Sequence, residues 1–144
     1  MTDVVDTAVA FTAYATTFRE YDNGDVIIFD HIITNVGNHF SAATNKFTCP
    51  RRGLYLFSLT LYLSDIIYGA IMLNGNEIGE VRGTSGVSVG GLRGGANQNS
   101  ITTTVVCEAN QMVWIEQDNE SERELRGYSD DPVTMFTGVL IQSF

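Results

Sequence analysis

A chain of 144 residues with 44% hydrophobic content is long enough for one core that needs neither disulfide nor metal to hold it, so a single domain over residues 1–144 is expected. Eight basic residues stand against seventeen acidic ones, a formal charge of −9, and Lys46 is the sole lysine; DNA, RNA or an acidic membrane surface is repelled at long range, so nucleic acid is excluded as a partner. The longest uncharged apolar stretch, residues 54–64, is too short to cross a bilayer and is interrupted by Ser58 and Thr60, so no membrane insertion is expected.

The opening residues, Met-Thr-Asp-Val-Val-Asp, hold neither a basic stretch nor an apolar run of signal-peptide length, so no export signal is visible: either one was removed or there was none. From there the chain is punctuated by fourteen glycines, two prolines and many Asn and Asp residues, with short β-branched or aromatic runs between them. That pattern predicts many strands joined by turns. Strands are expected at 8–14, 26–29, 54–63, 67–73, 77–82, 87–92, 100–107, 112–117 and 134–142. Over 54–63, Tyr55, Phe57, Leu59, Leu61 and Leu63 make one fully apolar face, while Leu54, Leu56, Ser58, Thr60 and Tyr62 make a mixed one. Asn74-Gly75 between two runs predicts a two-residue hairpin turn of type I′, which needs positive φ at both positions. No segment longer than about ten residues keeps a helical period, so the expected class is all-β, a sandwich or jelly roll. A strand apolar on both faces needs a second partner, and Leu54 and Tyr62 beside the Thr-rich 101–106 run predict self-association.

The residues offer little chemistry. His31 and His39 are the only histidines, neither lies in a motif, and there is no Gly-x-Ser-x-Gly, His-Glu-x-x-His or Gly-x-x-x-x-Gly-Lys, so no enzyme activity is expected. The Gly-rich stretch 83–95 lacks the lysine and the following helix of a phosphate cradle and reads as a turning β segment. Cys49 and Cys107 make no zinc pattern; they can pair with each other, pair with other chains, or stay as buried free thiols. The acidic run from Asp118 through Glu120 and Glu122, with Asp130 and Asp131, could hold calcium or another hard cation, with Asp118, Glu120 and Asp130 as the named ligands, but it lacks EF-hand spacing. Asn119-Glu120-Ser121 fits the N-glycosylation pattern.

From Phe29 the aromatic spacing becomes specific. Phe29, Asn35, Phe40 and Phe47, separated by five, four and six residues, lead after five more to Gly53-Leu-Tyr55-Leu-Phe57. This resembles the signature of the C1q domain, the globular head of complement C1q; Trp114 with its neighbours and Phe136-Thr-Gly138-Val-Leu140 are similar to the family's last two strands. Two departures are Leu59 at the signature's last aromatic and Asn45 where a glycine is usual, Asn being tolerant of left-handed backbone. No collagen-like Gly-X-Y tract occurs in the sequence. The resemblance implies a ten-strand jelly roll of the C1q and tumour necrosis factor kind, a homotrimer, and secreted, extracellular recognition. Heads of this family without a stalk resemble invertebrate pattern-recognition lectins, so the expected function is binding of glycans on microbial or cell surfaces in innate immunity, with three weak sites acting by avidity. The alternative is a secreted ligand like tumour necrosis factor that docks a receptor or other protein in grooves between subunits.

In an antiparallel jelly roll every second loop lies at the same end. The loops around 64–68, 93–99 and 118–131 are therefore expected to gather opposite the C-terminus. Between them they offer Asp65 and Tyr68, Arg93, Asn97, Gln98 and Asn99, and Arg126 and Tyr128, the aromatic, amide, carboxylate and guanidinium groups that sugar recognition uses.

Overall fold

The computed structural model describes residues 7–63, 66–83 and 97–144, without the side chains of Leu63 and Asn97. Twelve strands are found among them: β1 Ala10–Tyr14, β2 Arg19–Tyr21, β3 His31–Val36, β4 Phe40–Ser41, β5 Lys46–Thr48, β6 Gly53–Leu63, β7 Tyr68–Leu73, β8 Asn76–Arg82, β9 Asn97–Cys107, β10 Met112–Gln117, β11 Arg123–Leu125 and β12 Met135–Ser143. Ten form two antiparallel five-stranded sheets, in the orders β3-β1-β12-β6-β9 and β4-β5-β10-β7-β8, and β2 with β11 makes a separate ribbon. Neighbours in a sheet are mostly distant in sequence, which is the jelly-roll wiring the sequence predicts.

The alternation read over 54–63 carries into the sandwich. Tyr55, Phe57, Leu59 and Leu61 are fully buried between the sheets. Phe11 stacks on Phe40 and Phe47 at 4.8 and 4.9 Å and meets the edge of Phe136 at 4.8 Å; Tyr55 and Phe57 close on Phe47 at 6.0 and 5.8 Å. Each such ring contributes about 2–3 kcal/mol by leaving water, and the edge and offset geometries suit the ring quadrupoles. The signature's polar members are built in as well. Asn35 receives the Phe40 amide at 3.1 Å and donates to the Phe40 carbonyl at 2.9 Å, closing the turn into β4. Asn45 adopts φ 57° and its Oδ1 takes the buried Phe29 amide at 2.8 Å. Asn74 and Gly75 both have positive φ, 50° and 93°, as a type I′ hairpin between β7 and β8 demands.

Three differences from the sequence reading concern short segments. Residues 26–29 are not a strand: Val26 bridges Glu116 and Ile27 donates to the Ile115 carbonyl at 2.8 Å, so this stretch only lines part of β10 while Ile27 and Phe29 fill the core. The stretch at 31–36, not expected to be extended, is the edge strand β3, half-exposed and rich in polar residues, which hides its period. The ribbon strands β2 and β11 and the short strands β4 and β5, also not expected, have two or three residues each and are below the length at which alternation can be read. The strand expected at 87–92 and most of the Gly-rich stretch lie outside the described residues.

The outer face of the first sheet is ordered by register. One row runs Val36, Ala10, Val139, Leu56 and Thr104 across all five strands, with Leu54 opposite Val106 beside it. The next row is hydroxyls throughout: Thr34, Thr12, Thr137, Ser58 and Thr102, joined by Thr12–Thr137 at 3.0 Å and Thr102–Ser58 at 3.3 Å. Val36 and Val106 are 45% and 42% exposed, so among the described residues nothing covers this end of the face.

Candidate functional site

β6 ends at Leu63 opposite Asn97, while its start, Gly53, lies opposite Cys107 and beside Ser143 near the C-terminus. The described parts of the loops after β6, before β9 and after β10 therefore sit at the end of the sandwich opposite the C-terminus. A buried amide network ties the segments after β6 and after β10 to β2. Gln117, fully buried, donates to the Tyr21, Asn119 and Ser121 carbonyls at 3.1 Å each and accepts from the Asn119 amide. Asn119, 9% exposed, donates to the Ile66 carbonyl at 2.8 Å and accepts from the Ser121 amide at 3.0 Å.

The structure splits the sequence-named ligand residues into two groups. In the first, Tyr128 meets Phe18 edge-on at 5.4 Å and Tyr62 at 5.8 Å, and the Arg126 guanidinium lies over Phe18 at 5.1 Å. This segment is held tightly. The Tyr128 amide donates to the Ala15 carbonyl at 3.1 Å, and Thr134 donates to the Arg126 carbonyl at 2.6 Å while accepting from the Tyr62 amide at 3.1 Å. Any side chain at Gly127 would run into the backbone of Ala15, so glycine there permits the approach. Gln98 lies opposite Tyr62 and donates to the Val133 carbonyl at 2.9 Å, joining this group.

The second group stands at the ends of β7 and β8. Arg82 lies over the Tyr68 ring at 4.6 Å and is paired with Glu80, and Asn99 donates to the Arg82 carbonyl at 3.1 Å. One face of Tyr68 is thus already occupied by a guanidinium. Asp118 reaches this group through its amide, 2.9 Å from the Tyr68 carbonyl, and its carboxylate gathers with those of Glu77 and Glu80 within 4.8 Å. The hydrogen bond shared with Glu80, with some burial, holds the Asp118 carboxyl above its ordinary value. Of the three named metal ligands, only Asp118 belongs to this carboxylate cluster; Glu120 and Asp130 are exposed and do not. Asp65, Arg93 and the Asn97 side chain lie outside the described residues.

Phe18, Tyr62 and Arg82 were not named as site residues from sequence. Phe18 is 48% exposed, and a large aromatic inside Thr-Thr-Phe18-Arg-Glu was the available signal. An open groove of about 440 Å³ runs beside β2, lined by Arg19, Glu20, Tyr21, Asp25, Val26 and Ile28; no sequence-named residue lines it.

The model of the C1q domain matches residues 10–141. The chain belongs to the C1q-domain family. A 50-residue segment is 42% identical to a complement C1q subcomponent of Bos taurus, covering 35% of this chain and only a fifth of that relative's length. Among solved structures, the globular domain of the zebrafish complement 1qA protein superposes with TM-score 0.70 at 15% identity, covering 95% of this chain and 99% of that one. Eiger TNF from S. frugiperda gives 0.71 at 11% identity with 96% of both chains covered, and murine APRIL gives 0.62 at 8% identity over 92% of this chain and 98% of that one. At these identities the structural likenesses establish the fold, the jelly roll shared by C1q heads and tumour necrosis factor ligands. Among the described residues no helix is long and apolar enough to cross a membrane.

Proposed function

We propose that this domain is a secreted carbohydrate-binding recognition protein of innate immunity, not an enzyme, which holds glycans on microbial or cell surfaces as a homotrimer. The observation that carries the reading is the group formed by Tyr128, Phe18, Tyr62 and Arg126 beside Gln98. Aromatic surface for the apolar face of a sugar ring stands there next to guanidinium and amide donors for its hydroxyls, on backbone strapped to β6 and to the loop after β1. Asp65, Arg93 and Asn97 belong to the same proposal as further contributors. Tyr68 is a weaker platform than Tyr128, because Arg82 already covers its ring.

The trimer is supported by the outer face of the first sheet. A largely apolar row next to a row of hydroxyls, with Val36 and Val106 exposed among the described residues, suits a copy of itself: the apolar side chains lose water and the hydroxyls find partners across the contact. Three sites on one face then raise the apparent affinity for a repeated glycan by roughly 10²–10⁴ over a single site.

The test is a glycan array, with trypsin-treated cells as a second surface and sedimentation equilibrium at micromolar concentration alongside. Binding to array sugars that survives trypsin treatment of cells is expected. Tyr128→Ala and Arg126→Ala should each weaken it by about tenfold or more, equivalent to about 1.4 kcal/mol, with the trimer mass unchanged. Blank arrays with trypsin-sensitive cell binding would instead favour the receptor-docking reading. A monomer mass would remove the avidity argument.

A further inference from the structure

Cys49 and Cys107 lie far apart in sequence and in different halves of the sandwich. Cys49 directly follows β5 of the second sheet, and Cys107 is the last residue of β9 in the first. The chain fixes their approach. The Cys49 amide donates to the Gln111 carbonyl at 2.8 Å and its carbonyl receives the Asn110 amide at 2.7 Å, so the turn after β9 is clamped onto the Cys49 backbone. Cys107 itself is held in register opposite Gly53. Both side chains are fully buried, and the two thiols are near enough to shift each other's ionisation. The nearby Cys107 and burial push the Cys49 thiol well above its ordinary value. The same pair adds to the burial that pushes the neighbouring Tyr55 hydroxyl up to about 12.

Two buried thiols from separate sheets, brought together by a turn bonded to the Cys49 backbone, are more than small apolar fillers. We propose that Cys49 and Cys107 are a cross-linking site, joined as an intramolecular disulfide that staples the two sheets when the chain folds in an oxidising environment. The oxidant is a small-molecule disulfide such as oxidised glutathione. The thiolate of one cysteine attacks a glutathione sulfur, giving a mixed disulfide and one reduced glutathione. The second cysteine, as thiolate, attacks the protein sulfur of that mixed disulfide, forming the Cys49–Cys107 bond and expelling the second reduced glutathione. Two protein thiols thereby lose two electrons and two protons, and one glutathione disulfide gains them. Because both sulfurs are inaccessible in the folded domain, the exchange belongs to the folding reaction and not to the finished molecule. The bond closes a loop of about 60 residues, long enough for a large effect on the unfolded chain. It sits at the Gly53 end of β6, away from the Tyr128 group, so it anchors the sandwich without touching the proposed ligand site.

The experiment refolds the full chain from denaturant in a glutathione redox buffer and, in parallel, under reductant. Each product is denatured in the presence of an alkylating agent and its intact mass and cross-linked peptides are measured. The oxidised product is expected to be unalkylated, monomeric in chain number on a non-reducing gel, and about 2 Da lighter than the reduced chain. It should melt on the order of 10 °C above the reduced protein. Cys107→Ser refolded in the same buffer should lose the difference between oxidised and reduced melting. Two alkylated cysteines after oxidative refolding, chains cross-linked to one another, or an oxidised form that melts no higher than the reduced one would each overturn the proposal.

Discussion

Gly138 offers the sharpest test of how the aromatic core fixes this fold. It lies in the middle of β12, opposite Phe11 on β1 and Phe57 on β6, with ordinary strand backbone. A Cβ there would sit 2.8 Å from the Phe57 ring and closer still to that of Phe11. Neither ring can retreat: Phe11 is stacked between Phe40 and Phe47, and Phe57 is packed against Phe47 and Tyr55. Gly138→Ala should therefore behave as overpacking and cost about 1–3 kcal/mol. With unfolding entropy scaling with length, that is a fall of roughly 3–10 °C in Tm for a domain of this size. Gly75→Ala is the control, since its φ of 93° strains an alanine but nothing lies within 4 Å; it should cost about 1 kcal/mol through the backbone alone. Denaturant midpoints at one fixed protein concentration measure both, with m unchanged. If Gly138→Ala unfolds with the parent, or if Gly75→Ala is the worse of the two, the account of a filled and unyielding ring cluster is wrong.

Asn119→Ala removes the bonds to Ile66 and Ser121 from a nearly buried side chain and should cost about 1–3 kcal/mol in denaturant unfolding. The same burial predicts that the folded protein, expressed through a secretory pathway, carries no sugar on Asn119 despite its Asn-Glu-Ser sequence; a mass shift on treatment with an N-glycanase would refute this. For Asp30, burial alone would raise the carboxyl, but hydrogen bonds from the Thr16 hydroxyl and amide outweigh it and hold it below its ordinary 3.8. A depressed acid stabilises the fold above its unfolded pKa and stops doing so as pH falls through the folded one. Asp30→Asn should thus lower Tm at neutral pH, with the difference shrinking toward about pH 2; an equal difference at both would refute the assignment.

The strands legible in the sequence were those whose pattern is dictated by burial. Over β6, one face meets the core and the other does not, and the alternation survives in every residue from Tyr55 to Leu61. Asn74-Gly75 was legible because few other dipeptides fill two positive-φ positions cheaply. Asn45 was readable for the same reason, although its second role, receiving the Phe29 amide, depends on a contact sixteen residues away. β3 was not legible, because an edge strand half-open to water has no need to alternate, and β2 and β11 exist only because each pairs with the other.

The candidate site was legible as an end of the molecule but not as a set of contacts, and the reason is geometric. Antiparallel wiring alone places the loops after β6, before β9 and after β10 together, so counting strands suffices to find the end. Which side chains remain available there depends on neighbours brought from elsewhere. Arg82, from the far end of a hairpin that begins at Tyr68, returns to cover the Tyr68 ring. Phe18, from a loop more than a hundred residues before Tyr128, supplies the ring that Arg126 lies over. Glu77 and Glu80 on β8 claim the Asp118 carboxylate that sequence proximity would have given to Glu120. In each case a local reading groups residues by loop, whereas strand register regroups them: Gln98 and Asn99 are adjacent on β9, yet Gln98 bonds the Val133 carbonyl beside Tyr128 and Asn99 the Arg82 carbonyl beside Tyr68, because successive residues of a strand point to opposite faces.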